Sequence, residues 1–249
     1  MIGPGLIALV AAAVLATSFL SGIFGMAGGI ILLGLLLLFL DVAPAMVVFG
    51  ATQMASNGWR GVLWRKFVRW DIVLGYVGGA LVTFTLMRLI SIVPSKPLVY
   101  LLLGLTPFAL HFLPDRFAPD ITKRGMAFVC GLIILVPQLL AGAAGATLDI
   151  FFNRSALDRK SIVATKAVSQ LVAHSLRIAY FGSYAGAFDP RIPWYAYLGM
   201  MALAVAGTSF AAGVLHKMTD VGFKLWSKRL IMAVSATYIA RGLWMLAQG

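Results

Sequence analysis

The sequence predicts an all-α, polytopic membrane protein. Of its 249 residues, 61% are hydrophobic and 11% are charged, whereas soluble domains hold about 45–50% apolar and about 25% charged residues. Residues 3–40 contain no charged side chain. Further apolar runs follow, each near the roughly 20 residues with which a helix spans a bilayer. The runs lack the alternation of a membrane β-barrel, so helices are the expected spanning elements.

The charge pattern favours a membrane over a nucleic acid partner. The net charge is +12, and all eight acidic residues are Asp. The cations stand mostly in short segments between apolar runs, where they indicate topology and contact with anionic lipid. We therefore expect membrane lipid and a small anionic substrate as partners, no nucleic acid, and a monomer or homodimer.

Both the cysteine content and the N-terminus fit this class. The single cysteine, Cys130, excludes an internal disulfide, and its place in an apolar run indicates a packing residue. The opening MIGPGLIALV lacks the basic region of a cleavable signal peptide. We expect a retained first helix.

Residues 3–40 are too long for one helix and are interrupted by SGIFGMAGG at 21–29. We predict two elements that meet at a glycine-rich break. DVAPA at 41–45 is interpreted as a turn. The remaining elements of the first half are predicted at 46–63, at about 72–92 and at about 98–113, with a basic, aromatic interfacial segment at 60–71.

A polar linker at 114–125 divides the chain, and residues 126–249 are predicted to repeat the plan of residues 1–113. The second half has an apolar run with Pro137 that breaks at GAAG, residues 142–145. The segments predicted after it are a loop at 153–160, an element at 163–181, an element at about 195–215, a basic loop at 216–229 and a last element to about 247.

Short matches support the repeat. GATQMASN at 50–57 aligns with VATKAVSQ at 163–170, and GMAG at 25–28 matches GAAG. Five elements in each half require the halves to have opposite orientations in the membrane.

The positive charges agree with such an inverted repeat. Four loops assigned to one side hold fourteen Lys and Arg, against three in the loops of the other side. Because cytoplasmic loops are enriched in these residues, the sequence predicts ten elements, several of them half-length or re-entrant, with both termini outside.

The element at 163–181 carries the main candidate residues. Lys166 and Arg177 are eleven residues apart, which returns to within about 20° of the same helix face. Gln170 and His174 lie between them. A cation at the bilayer centre costs about 2.5–3.5 kcal/mol, so two cations are expected to face a bundle interior or a wet cavity and to bind an anion. The alternative is that one or both extend to a membrane surface.

In the first half, the same register places Gln53 opposite Lys166 and Asn57 opposite Gln170, with Thr52 and Ser56 beside them. Uncharged amides and hydroxyls suit an oxyanion that needs several donors. Hydrogen bonds between neighbouring helices are the alternative role, above all for Ser56.

The two glycine breaks are a second candidate site. Half-helices that begin at corresponding breaks offer free N–H groups to a ligand in inverted-repeat transporters. Close packing of membrane helices also uses glycine, so both roles stay open for the glycines of the breaks, including Gly142 and Gly145.

Asp149 is the acid in the most apolar context. It is interpreted as a proton carrier, as the counter-ion of Lys166 in the absence of substrate, or as a residue that marks a helix end. His174 is a second candidate for proton coupling, with hydrogen-bonded packing as its alternative. No catalytic, metal or cofactor motif is present, so we expect neither an enzyme nor a bound metal or cofactor.

Four segments resemble the TauE/SafE sulfite-exporter family over nearly the whole chain. They are SGIFGMAGG with its following apolar run, NGWRGVLWRKFVRWDI, the mid-chain repeat and VATKAVSQLVAHSLRIAYFG. The resemblance implies export of sulfite or an organosulfonate such as sulfoacetate across a bacterial inner membrane, with proton coupling. A passive anion channel on the same scaffold and uptake of the same anions are the alternatives.

Carried over residue by residue, the resemblance implies three groups of site residues. They are the glycines Gly25, Gly28 and Gly29, the first-half pair Thr52 and Asn57, and their second-half counterparts Thr165, Lys166 and Gln170. The second break departs from the family pattern, because GAAGA stands where three consecutive glycines are usual. This departure puts a close approach of the second half-helix to substrate in doubt.

Overall fold

The computed structural model describes residues 4–24, 26–111, 119–142, 144–215 and 220–248, and these form an all-α fold. No strand occurs within these ranges. The predicted fold class is therefore confirmed as all-α. The inverted repeat and its halves at 1–113 and 126–249 stay predictions.

In the described residues of the first half, the structure has five α-helices and a 3₁₀ turn at Arg65–Phe67. The helices are α1 (Pro4–Phe24), α2 (Met26–Phe39), α3 (Val42–Leu63), α4 (Trp70–Ile90) and α5 (Lys96–His111). The turn expected at 41–45 is wrong. α3 already begins at Val42, because proline is tolerated in the first turn of a helix, where its missing N–H is not needed.

The described part of the second half also contains five α-helices. They are α6 (Met126–Ala141), α7 (Ala144–Asn153), α8 (Arg159–Phe181), α9 (Trp194–Leu215) and α10 (Asp220–Gln248). The basic loop expected at 216–229 is wrong from residue 220 onward, where α10 has begun. Lys and Arg are good helix formers and do not end a helix.

Both predicted glycine breaks coincide with helix ends. α1 ends at Phe24 and α2 begins at Met26, while α6 ends at Ala141 and α7 begins at Ala144. Gly142 closes α6 with φ +71°, a left-handed conformation that glycine adopts without steric cost. Gly25 lies outside the described residues.

The main packing pairs correspond between the halves when α1–α5 are matched in order with α6–α10. α1 packs on α9 and α4 packs on α6, while α3 packs on α8 and α5 on α10. Among the smaller contacts, α2 with α10 corresponds to α7 with α5. α3 with α8 and α5 with α10 each correspond to themselves under this matching.

Glycine brings the paired helices close together. A Cβ atom at Gly79 of α4 would overlap the carbonyl oxygen of Phe128 on α6, and one at Gly131 would overlap the carbonyl oxygen of Tyr76. In the corresponding pair, a Cβ at Gly207 of α9 would lie 2.6 Å from the carbonyl oxygen of Leu15. Such close contact between helices is the main source of association in a lipid environment.

Three helical segments of the described chain are long and apolar enough to cross a membrane. They are Trp70–Ile90, Trp194–Ala211 and Lys228–Gln248. Four further apolar segments are shorter, at 10–17 residues. By length and composition, these segments are those of a membrane protein.

α3 and α8 hold most of the buried polar side chains among the described residues. In α3, they are Thr52, Gln53, Ser56 and Asn57; in α8, they are Ser161, Thr165, Ser169, Gln170, His174 and Arg177. Buried polar groups require hydrogen-bond partners.

Candidate functional site

Lys166 of α8 forms an ion pair with Asp149 of α7. The pair is only half-buried, since the side chains retain 27% and 42% of their full exposure, respectively. The contact agrees with the counter-ion role proposed for Asp149 from the sequence. An ammonium group has three N–H donors, so one carboxylate oxygen leaves donors of Lys166 for other acceptors.

Arg177 lies in a different environment from Lys166, although the sequence placed the two on one helix face. Eleven residues of helix separate them by about 17 Å. The Arg177 side chain is completely buried. This burial argues against an extension of its guanidinium to a membrane surface.

The guanidinium of Arg177 is held by protein groups. It donates to the carbonyl oxygen of Gln138 on α6 and lies 3.1 Å from Nδ1 of His174. Because arginine has donors only, Nδ1 of His174 accepts, and the ring proton stands on Nε2. The ring of Phe49 on α3 stacks with its centroid 4.9 Å from Cζ of Arg177.

This second cluster contains unsatisfied polar atoms. Nε of Arg177 and Oε1 of Gln138 are buried and have no hydrogen-bond partner among the described residues. Nε2 of Gln138 donates to Oε1 of Gln170 at 3.3 Å. Within the described part of the chain, Arg177 forms no ion pair.

Gln138 occupies a defined position relative to the second break. It stands four residues before Gly142, whose N–H also donates to its carbonyl oxygen. The last four carbonyls of a helix lack intrahelical partners, and the C-terminal end carries negative partial charge. Arg177 therefore stabilises the broken end of α6.

Arg60 of α3 makes the corresponding contact at the first break. It donates to the carbonyl oxygen of Ser21, in the last turn of α1, at 3.4 Å. Ser21 stands four residues before Gly25, as Gln138 stands four residues before Gly142. Each half thus contributes one arginine that contacts the end of a broken helix.

Arg60 directly precedes Gly61 on α3, and Lys166 lies two residues before Val168 on α8. α3 and α8 are close at this level, where a Cβ at Gly61 would lie 3.1 Å from Cγ2 of Val168. Arg60, Lys166 and Asp149 are called the mixed-charge cluster below. Arg177, His174, Gln138 and Phe49 are called the dry cluster.

Several predicted site residues make contacts within or between helices. The Thr52 hydroxyl donates to the carbonyl oxygens of Val48 and Phe49 in its own helix, and Asn57 donates to the carbonyl of Gln53 at 2.9 Å. The bond from Asn57 uses one of its two side-chain N–H donors, so the side-chain carbonyl oxygen and one N–H group are left for a ligand.

Thr165 connects α8 to the segment before α4. Its hydroxyl oxygen accepts from the backbone N–H of Arg69 at 3.0 Å. The buried Ser56 hydroxyl lies 2.6 Å from that of Thr208 on α9, which matches the alternative role of bonding neighbouring helices.

The glycines of the first break serve close packing in this structure. A Cβ at Gly28 would overlap the carbonyl oxygen of Thr17 on α1, and a Cβ at Gly29 would lie 2.9 Å from Nε2 of Gln53. At the second break, a Cβ at Gly142 would lie 3.7 Å from the Arg177 guanidinium. Gly145 lies in the first turn of α7.

Asp158 fixes the start of the helix that carries the candidate residues. Its carboxylate accepts from the backbone N–H groups of Lys160 and Ser161 and from the Ser161 hydroxyl. The hydrogen bonds from Ser161 hold the pKa of Asp158 below its usual range. The cap is therefore ionised at neutral pH and stabilises the N-terminal turn of α8.

Sequence reasoning missed Gln138, Phe49 and Arg60 as members of the clusters. Gln138 had a signal, since it is the one amide in the apolar run MAFVCGLIILVPQLLA and precedes the break. Arg60 was assigned to the basic, aromatic interfacial segment at 60–71. Nothing in the sequence distinguished Phe49 from the aromatic residues of the core. Among the described residues, no group of three His, Cys, Asp or Glu side chains is arranged to hold a metal ion.

No family model, curated protein or solved structure matches the chain.

Proposed function

We propose that the protein is a secondary transporter that moves a small sulfur-containing anion by alternating access between two inverted repeats. The observation that carries the proposal is the pair of helix breaks, each contacted by an arginine from the third helix of the same half, Arg60 of α3 at Ser21 and Arg177 of α8 at Gln138. Half-helices that meet a polar centre at corresponding positions are typical of inverted-repeat transporters.

The packing pairs support the inverted repeat. When α1–α5 are matched in order with α6–α10, the pair α1 and α9 becomes the pair α6 and α4. The pair α3 and α8 is exchanged within itself by the same matching. This is the pattern that a two-fold relation between the halves would produce. An odd number of membrane helices in each half, five among the described residues, would make that relation an inversion across the membrane.

The charges at the centre support an anion as substrate. The described part of the α3–α8 interface and the helix that borders it contain three cations, Arg60, Lys166 and Arg177, and one carboxylate, Asp149. Excess positive charge in a bundle interior attracts anions and repels cations. The sulfur chemistry of the substrate, its export and the bacterial inner membrane come from the resemblance to the sulfite exporters.

Asp149 is the proposed coupling residue in preference to His174. Protonation of Asp149 would free Lys166 for an incoming anion, and the half-exposed pair is within reach of water. His174 is 4% exposed and already accepts from Arg177, so its protonation would break a buried contact.

Transport in proteoliposomes tests the proposal. Purified protein is reconstituted and supplied in turn with sulfite, sulfoacetate, taurine, sulfate and acetate, with and without a pH gradient. We expect protein-dependent accumulation of one sulfur oxyanion against its gradient, driven by the pH difference. Flux that only dissipates the gradient would identify a passive channel, and no flux of any anion would overturn the proposal.

The direction of transport needs a second arrangement of the same assay. Vesicles from cells, sorted by orientation, are supplied with the anion that the first assay identifies. Export predicts accumulation in inside-out vesicles. Accumulation in right-side-out vesicles alone would assign uptake instead.

A further inference from the structure

We propose that the mixed-charge cluster of Arg60, Lys166 and Asp149 binds the transported anion and prefers monoanions to dianions. Asp149 is the residue that produces this preference. The inference rests on the proposed function and names the substrate class of the same site. It assigns the ligand to this cluster and not to the dry cluster around Arg177.

Accessibility distinguishes the two clusters. The Lys166 and Asp149 side chains keep 27% and 42% of their full exposure, whereas Arg177 keeps 0% and Gln138 keeps 0%. A solute can exchange with water at a half-exposed ammonium group. It would reach Arg177 only after Phe49 and the end of α6 had moved.

Donor capacity also favours the mixed-charge cluster. Lys166 engages Asp149 through one of its three N–H donors. Among the described residues, the Arg60 guanidinium donates one long bond, at 3.4 Å, to the Ser21 carbonyl, which uses one of its five N–H donors. An oxyanion head with two or three oxygens would find free donors on both side chains.

The net charge of the cluster sets the valence. Two cations and one carboxylate leave one positive charge, which a monoanion neutralises. A dianion would bring uncompensated negative charge next to the Asp149 carboxylate. At about 4 Å and an effective dielectric constant near 20, a single like-charge contact is unfavourable enough to change affinity by more than tenfold.

The charged and titratable groups near Asp149 are few in the described chain. From α8 it meets Lys166, with His174 two turns further along in the dry cluster. Among the described residues, Lys166 is the charged partner that the structure gives Asp149, so the substitution of Asp149 changes the charge of this cluster.

Two sulfur oxyanions of similar shape test the valence rule. Methanesulfonate is a monoanion and sulfate a dianion at neutral pH, and their binding to the purified full-length protein is measured by calorimetry at fixed ionic strength. Wild-type protein is expected to bind methanesulfonate more tightly than sulfate. Asp149→Asn raises the net charge of the cluster by one, and we expect it to shift the affinity ratio toward sulfate by roughly tenfold or more.

Three further variants keep the test decisive if Asp149→Asn does not fold. Lys166→Gln and Arg60→Gln each lower the net charge of the cluster to zero, and both are expected to weaken sulfate binding more than methanesulfonate binding. Arg65→Gln removes the same charge from an exposed residue of the 3₁₀ turn and is expected to change neither affinity.

The outcomes separate this inference from the proposed function. An unchanged affinity ratio in Asp149→Asn, an equal response of Arg65→Gln and Arg60→Gln, or no binding of either anion to any variant would overturn the inference. Transport in proteoliposomes with a valence preference that Asp149→Asn leaves intact would retain the function and reject the inference. Binding that follows the valence rule without transport would do the reverse.

Discussion

Arg60 and Arg177 make the same kind of contact in opposite surroundings. Each donates to a carbonyl in the last turn of a helix that ends at a break, Arg60 at Ser21 and Arg177 at Gln138. Arg177 is completely buried beneath Phe49, whereas Arg60 is partly buried and is grouped with the half-exposed ion pair of Lys166 and Asp149 in the mixed-charge cluster. The difference shows that a cation in a membrane helix has two separable uses: to hold a broken helix end, and to offer charge to a solute.

The largest expected difference between the two clusters is in stability. Arg177→Gln removes charge-assisted hydrogen bonds to Gln138 and His174 and the stack on Phe49, and we expect a loss of about 3 kcal/mol. Lys166→Gln removes a half-exposed ion pair and should cost less than about 1 kcal/mol. Denaturant unfolding of the purified protein in detergent measures both. An equal or larger loss for Lys166→Gln would contradict the assignment of Arg177 to the fold.

The conformation of the second break gives the next largest effect. Gly142 has φ +71°, and its added Cβ would overlap Leu33; Gly186 has φ +75°, with no described atom within 4 Å of an added Cβ. We expect Gly186→Ala to cost about 1 kcal/mol from backbone strain alone. Gly142→Ala should cost at least about 2 kcal/mol, since packing around the dry cluster must also shift.

The same unfolding measurement compares the two glycine variants directly. Their difference reports how tightly the dry cluster is packed. If Gly142→Ala were no more destabilising than Gly186→Ala, the contact with Leu33 would carry no energy, and the cluster would not be rigid.

Phe49→Leu sharpens the comparison with a smaller expected loss. It keeps an apolar side chain but removes the aromatic face from Arg177 and the edge contact to His174, whose ring centroid lies 5.5 Å away. We expect a loss of about 1 kcal/mol in stability with transport retained. Loss of transport to the level of Lys166→Gln in the same proteoliposome assay would instead place the substrate at the dry cluster.

The smallest expected effect concerns the start of α8. Because Ser161 holds the pKa of Asp158 below its usual range, the cap contributes stability above the ordinary carboxyl pKa of about 4. That contribution disappears as pH falls through the lowered pKa of the folded state. Thermal unfolding of wild type and Asp158→Ala should therefore differ slightly at pH 7 and converge in acid. A difference that persisted unchanged at pH 2 would show that the ionised carboxylate is not its source.

The helices and their breaks could be predicted from the sequence because the signals are local. Apolar runs gave the spanning elements, and glycine clusters gave the ends of α1 and α6. The limits of α3 and α10 were missed for local reasons as well, since Pro44 and the basic residues after 220 are compatible with helix.

The membership of the two clusters could not be predicted from the sequence, because it depends on contacts between distant segments. The periodicity of α8 placed Lys166 and Arg177 on one helix face. Periodicity does not predict how the solvent exposure of the side chains on that face changes over three turns. Asp149 was recognised as a partner for Lys166 by its charge. Gln138 and Phe49 acquire their roles only where α6 and α3 pack against α8.

Thiol labelling of the two clusters tests the central claim, which is that anions reach the mixed-charge cluster and not the dry cluster. In a Cys130→Ala background, Asp149→Cys and Ala173→Cys place one thiol in each region, since Ala173 is 0% exposed and precedes His174. The anionic reagent sulfonatoethyl methanethiosulfonate is compared with its cationic trimethylammonioethyl counterpart. The account predicts rapid labelling at position 149, faster with the anionic reagent and slowed by methanesulfonate, with little labelling at position 173. Equal labelling at both positions, or faster reaction with the cationic reagent at position 149, would contradict it.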